Sequence, residues 1–189
     1  GENNSQRSAH FGDGVYKSLN GGKTWTNLGL KNSYHIARIL VDPRHSNVIY
    51  VAAEGPLWSS GGDRGLYKST DGGATWTASL EINKDTGVTS VDLDPSNPDV
   101  LYAAAYQRRR SIAAFMGGGP GSGLYKTTDA GKTWRRLTVG LPAGDRGKIG
   151  LAVTPLDPRV VYAPAEASSA ERGFYRSTDR GERWGKRHS

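Results

Sequence analysis

The chain has 189 residues, enough for one domain with a real core, and its 26 glycines, 5 tryptophans and 9 tyrosines suit short strands joined by turns better than a helical bundle. Its formal net charge of +7 is carried by dispersed Lys and Arg without a nucleic-acid motif, so it reads as a solvated basic surface and predicts no nucleic-acid partner. The lack of cysteine excludes disulfides and thiolate metal sites, and no apolar run approaches the ~20 residues that span a bilayer.

In chain order, the first unit is Gly14-Val-Tyr-Lys-Ser18-Leu-Asn20-Gly-Gly22-Lys-Thr-Trp25. It returns without gaps as Gly65-Leu-Tyr-Lys-Ser69-Thr-Asp71-Gly-Gly73-Ala-Thr-Trp76 and as Gly123-Leu-Tyr-Lys-Thr127-Thr-Asp129-Ala-Gly131-Lys-Thr-Trp134. The fourth copy is Gly173-Phe-Tyr-Arg-Ser177-Thr-Asp179-Arg-Gly181-Glu-Arg-Trp184. The steps from Trp25 to Trp76, Trp134 and Trp184 are 51, 58 and 50 residues, the length of a four-stranded propeller blade.

Between these copies lies a second repeating element. Val41-Asp42-Pro43 followed by Val48-Ile-Tyr50-Val-Ala-Ala recurs at Asp94-Pro95 with Val100-Leu-Tyr102, and at Thr154-Pro155 with Val160-Val-Tyr162. Each reads as two nearly continuous apolar strands around a Pro-containing turn, the pattern of strands buried on both faces. The predicted fold is therefore all-β, a β-propeller of four-stranded antiparallel blades with about three and a half blades present. The expected division is a half blade over 1–30, blades over 31–80 and 81–138, and a truncated blade over 139–189. The start at Gly1-Glu2-Asn3, with neither Met nor a charged-then-apolar leader, predicts a mature chain or an internal piece of a longer one.

The spacing Ser-x-Asp-x-Gly-x-Thr-Trp makes a self-bonded hairpin turn. The carboxylate accepts from backbone N–H groups a few residues on, the Gly takes a positive φ, and the Trp ring packs between blades. A catalytic or Ca²⁺-binding group has no reason to recur in every blade, so Asn20, Asp71, Asp129 and Asp179, with Trp25, Trp76, Trp134 and Trp184, are assigned structural roles. Asn20 makes a similar turn without the charge.

These strings resemble the BNR/Asp-box repeat proteins, which include sialidases, xyloglucanase-type glycoside hydrolases and sortilin-type receptor propellers. The resemblance covers residues 12–187. Together with the Asp-Pro elements and Tyr106-Gln-Arg-Arg-Arg110, the chain looks most like bacterial exported proteins with a sortilin-like propeller, a group often labelled glycosyl hydrolases on the repeat alone. This implies a secreted, periplasmic or cell-surface location. The Arg-Ile-Pro motif of sialidases is missing, and neither of the two Asp residues of the xyloglucanase type can be matched to a motif here. The expected function is a non-catalytic scaffold binding a peptide, protein or glycan; the alternative is a glycoside hydrolase of the xyloglucanase-like Asp-box type.

Propeller topology puts the Asp-Pro turns and Asp boxes on one face and the longer, more variable connections on the other, where binding residues usually lie. At equivalent exits of the second strand stand Glu54, Tyr106 and Glu166. Glu54 and Glu166 are the candidate general acid and base of glycoside hydrolysis, or else solvated charges paired with Arg64 and Arg172. Candidate ligand contacts are Trp58, Tyr106, Arg108, Arg109, Arg110 and Phe115, the last five in the connection 106–122, where Phe115 sits on a predicted flap. His10, His35, His45 and His188 lack ligand spacing, so no metal and no cofactor are expected. Because the first Asp box lacks two inner strands, the remaining blades of a larger propeller or self-association are expected to complete it.

Overall fold

A computed structural model describes residues 1–188. Three four-stranded antiparallel units follow a short hairpin. The hairpin is β1 (Tyr16–Lys17) and β2 (Thr26–Asn27). The first full blade is β3 (Ile36–Asp42), β4 (His45–Ala53), β5 (Gly65–Ser69) and β6 (Thr77–Leu80), paired in that order. The second is β7 (Thr86–Asp94), β8 (Asn97–Arg110), β10 (Gly123–Thr127) and β11 (Arg135–Leu137), with β9 (Phe115–Gly117) added to the far end of β8. The third is β12 (Ala152–Val153), β13 (Val161–Ala165), β14 (Gly173–Ser177) and β15 (Gly185–His188). This is a β-propeller arc of about three and a half blades.

The apolar runs build the core between blades. Tyr50, Leu66, Leu80, Val88, Val91, Leu101 and Ala103 form one cluster between the first and second blades. Tyr102, Leu124, Leu137, Ile149, Val161, Tyr175 and Trp184 form the next. The inner strand β7 lies between β3 and β12, and its Val88 and Val91 are fully buried. On β3, which starts the arc, Ile39 and Val41 remain half-exposed. A glycine opens the third strand of each blade because that strand runs hard against the fourth. A Cβ at Gly65 would collide with the Leu80 carbonyl, and one at Gly173 with that of His188.

One expectation changes. The connection after Tyr106 is not a flap: β8 continues to Arg110 and turns back as β9, so Phe115 and Met116 belong to a hairpin.

Candidate functional site

The Asp boxes share one set of bonds. In the first full blade, Asp71 Oδ1 accepts from Thr75 N at 2.9 Å and from Ser69 Oγ at 2.7 Å, while Ser69 Oγ accepts from Gly73 N at 2.8 Å. Asp129 and Asp179 repeat this with Thr133 N and Arg183 N, each at 2.9 Å. Asn20 accepts from Thr24 N at 2.9 Å, and its Nδ2 donates to Thr24 Oγ1 where Asp71 accepts from Thr75. These bonds hold the Asp71 and Asp129 carboxyls well below the usual carboxylate range. The turn needs two left-handed residues, not one. Gly72 and Gly73 have φ of 76° and 96°, and Ala130 and Arg180 take the first position at 57° and 58° despite their side chains. The tryptophans differ: Trp184 is buried, Trp76 and Trp134 are half-buried, and Trp25 is exposed.

The boxes face the strand-one-to-two turns of their own blades, through Gly72 N to Asn47 O, Ala130 N to Asp99 O and Arg180 N to Arg159 O. The opposite face gathers the other connections, through Asn32 N to Asp63, Gly61 N to Lys84 O and Gly119 N to Arg146 O.

On that face Glu54 is not a solvated charge. It is buried, and its Oε2 lies 2.9 Å from Arg108 Nη1. Burial pushes its carboxyl upward, opposed by Arg108, Lys148 and Arg64. Arg64 is not its ion-pair partner. The Arg64 guanidinium instead gathers the carbonyls of Glu54, Pro56, Ser59 and Gly61, which fixes the 54–64 connection. Arg108 also donates to Asn4 O at 2.7 Å, Arg110 to Ser5 O at 2.8 Å, and His35 Nδ1 lies 2.8 Å from Glu2 O. The N-terminal segment thus packs onto Arg108, and Glu54 and Arg108 are both buried.

The other candidates separate into engaged and open groups. Tyr106 is buried. Arg109 bonds Ser60 Oγ at 2.7 Å and pairs with Asp85, and the Arg110 guanidinium stacks 4.5 Å from the Phe115 ring centroid. None of the three arginines is a free anion-binding group. Trp58 is exposed and lines a cavity of about 440 Å³ with Phe11, Tyr34, His35 and Arg7. Glu166 is exposed, its Oε2 accepting from Lys148 N at 2.9 Å. It has no ion pair with Arg172 among the described residues. With Asp145, Arg146 and Gly117 to Gly119 it lines a cavity of about 300 Å³.

Sequence reading missed Asp145, which sits in the Gly-Asp-Arg-Gly stretch of a connection known to share this face. It also missed Phe11 and Tyr34, whose rings lie 5.4 Å apart; no periodic signal marks either. Among the described residues no group of three or more His, Asp or Glu is placed to hold a metal, and no helix is long and apolar enough to cross a membrane.

The BNR/Asp-box repeat family model matches residues 67–78. A probable oligoxyloglucan-reducing end-specific xyloglucanase from Neosartorya fischeri is 28% identical over 177 residues, covering 90% of this chain and 19% of its own length. Among solved structures, an ancestral GH74 enzyme superposes with TM-score 0.71 at 22% identity, covering 94% of this chain and 21% of that one. The Niastella koreensis GH74 enzyme gives 0.68 at 25% identity, covering 94% and 27%. The chain therefore spans about a fifth of the length of the curated relative. These similarities overturn the expectation of a non-catalytic sortilin-like scaffold, because the similar proteins carry the names of glycoside hydrolases.

Proposed function

We propose that this chain of BNR/Asp-box blades is part of a glycoside hydrolase acting on a xyloglucan-type polysaccharide. The observation that carries this reading is the 28% identity along 90% of the chain to a protein named as a xyloglucanase. Such a polymer is too large to enter a cell, so the enzyme would act outside the cytoplasm.

Glycoside hydrolysis needs two carboxyl groups, one to protonate the leaving oxygen and one to activate water or attack the anomeric carbon. Glu54 is buried and paired with Arg108, an arrangement that suits this task less well than an open carboxylate. Glu166 and Asp145 both line one open cavity on the loop face. Gly147 leaves room for Glu166 there, because a Cβ at that position would lie 2.8 Å from Glu166 Cβ. Trp58, Tyr34 and Phe11 offer flat apolar faces on which sugar rings can stack.

The test is release of reducing ends from xyloglucan by this chain and by any longer polypeptide that carries it. Glu166→Gln should lower the rate by about 100-fold or more if Glu166 is the acid or base. Activity that survives Glu166→Gln and Asp145→Asn would move the reaction to carboxylates elsewhere, and an absence of turnover on any polysaccharide would refute the hydrolase reading.

A further inference from the structure

The repeat allows the two junctions between full blades to be compared position by position. Where the second blade meets the third, Glu182 of the Asp box carries its carboxylate across to the preceding blade. Its Oε1 accepts from Lys126 Nζ at 2.7 Å and from the Arg135 guanidinium. Lys126 also donates to Arg180 O at 2.7 Å, so this buried ammonium has two oxygen partners, one of them charged.

The junction between the first and second blades has the same frame but different ends. In the ungapped repeat Lys68 stands at the Lys126 position, Thr77 at the Arg135 position and Lys132 at the Glu182 position. Lys68 Nζ donates to Ala130 O at 2.8 Å, as Lys126 does to Arg180 O. The carboxylate that completes the later junction is replaced by a second ammonium. Among the described residues neither Lys68 nor Lys132 has an ion pair. The acidic groups around Lys68 are engaged elsewhere. Asp42 and Asp99 hold Arg44, and Asp129 closes its own turn. Burial and the Lys132 charge pull the Lys68 ammonium below its ordinary value, against Asp42, Asp99 and Asp129. This junction holds a cavity of about 380 Å³ lined by Lys68, Thr70, Thr75, Thr77, Ser79 and Lys132. That volume falls within the ~300–1,000 Å³ of small-ligand sites.

We propose that this cavity is an oxyanion site, which takes the carboxylate of a small acid such as a sugar acid into the place that Glu182 fills one blade later. Lys68 Nζ and Lys132 Nζ would both donate to it, in charge-assisted bonds. The two ammonium groups belong to adjacent blades, so the ligand would also tie the first blade to the second. The site stands among the Asp boxes, away from the loop face that holds Glu166, and does not depend on a hydrolytic activity.

Amide shifts of the isotope-labelled protein, titrated at constant ionic strength with acetate, glucuronate and neutral glucose, test this. Acetate and glucuronate should move Gly131 and Lys132 saturably, and glucose should not. Tighter binding of glucuronate assigns a sugar acid, and equal affinities assign the carboxylate alone. Lys132→Glu supplies the carboxylate covalently and should abolish saturable binding, with circular dichroism to check the fold. Lys68→Gln should weaken binding by about tenfold or more, one lost charge-assisted bond being worth about that factor. Glu182→Ala should open a second site, where acetate moves Arg180 to Arg183 and restores the thermal stability that the substitution removes. Shifts that do not saturate, or that persist unchanged in Lys132→Glu, overturn the proposal. So does a Glu182→Ala variant that does not respond to acetate.

Discussion

The first and last Asp boxes are almost the same object in two surroundings. Trp25 Nε1 donates to Gly22 O at 3.1 Å, and Trp184 Nε1 donates to Gly181 O at 3.1 Å. Ser18 and Ser177 each accept from the glycine N–H four residues on at 2.8 Å. Yet Trp25 is 61% exposed and Trp184 is 6% exposed. The difference lies wholly outside the turn: Gly181 rests on Tyr102 and Leu137 of the preceding blade, and Gly22 rests on no preceding blade among the described residues. The hairpin closes itself through local hydrogen bonds, whereas its apolar energy depends on a neighbour.

The largest expected effect follows from that contrast. Trp184→Ala should cost about 3–5 kcal/mol in denaturant unfolding, and Trp25→Ala no more than about 0.5 kcal/mol in dilute solution. Comparable costs at the two positions would mean that Trp25 is covered in solution, and the comparison would break. A smaller effect is expected at the hydroxyls. Ser177→Ala leaves the buried Gly181 N–H without its acceptor and should cost about 1–2 kcal/mol, while Ser18→Ala leaves a solvated N–H and should cost a few tenths.

The smallest effect concerns the segment that packs onto Arg108. Burial pushes His35 below its ordinary value of 6.5, with the Glu2 carbonyl opposing. The unfolded chain then binds the proton more readily than the folded one, so the His35 contribution is fully present above pH 6.5 and is lost as pH falls through the lowered value. Unfolding midpoints measured from pH 7.5 downward should decline, and His35→Asn should flatten that decline. An unchanged slope would show that His35 does not titrate with folding.

Much of the fold was legible because it is local and repeated. The Ser-x-Asp-x-Gly turn satisfies its own donors within a few residues, and the paired apolar strands announce burial on both faces without reference to a partner. The placement of Glu54 was not legible. Its position at the exit of the second strand matches that of Glu166, but one is buried and paired with Arg108, which Asn4 and Ser5 hold, and the other is open to solvent. Residues roughly fifty positions away on either side along the chain decide that, and no spacing rule encodes them. The arginine run 108–110 failed for the same reason. Its side chains are consumed by Glu54, by Asp85 and by the Phe115 ring, partners that only the β8–β9 hairpin brings near.

By itself the sequence determined the repeat, the hairpin turns, the blade architecture and the division into two faces, because each follows from hydrogen bonds and strand patterns that close within one repeat. Tertiary structure alone decided which carboxylates are reachable and which arginines are spent inside the fold. Those outcomes depend on burial and charge pairing between segments distant along the chain, where desolvation sets the energy and the local sequence carries no record of it.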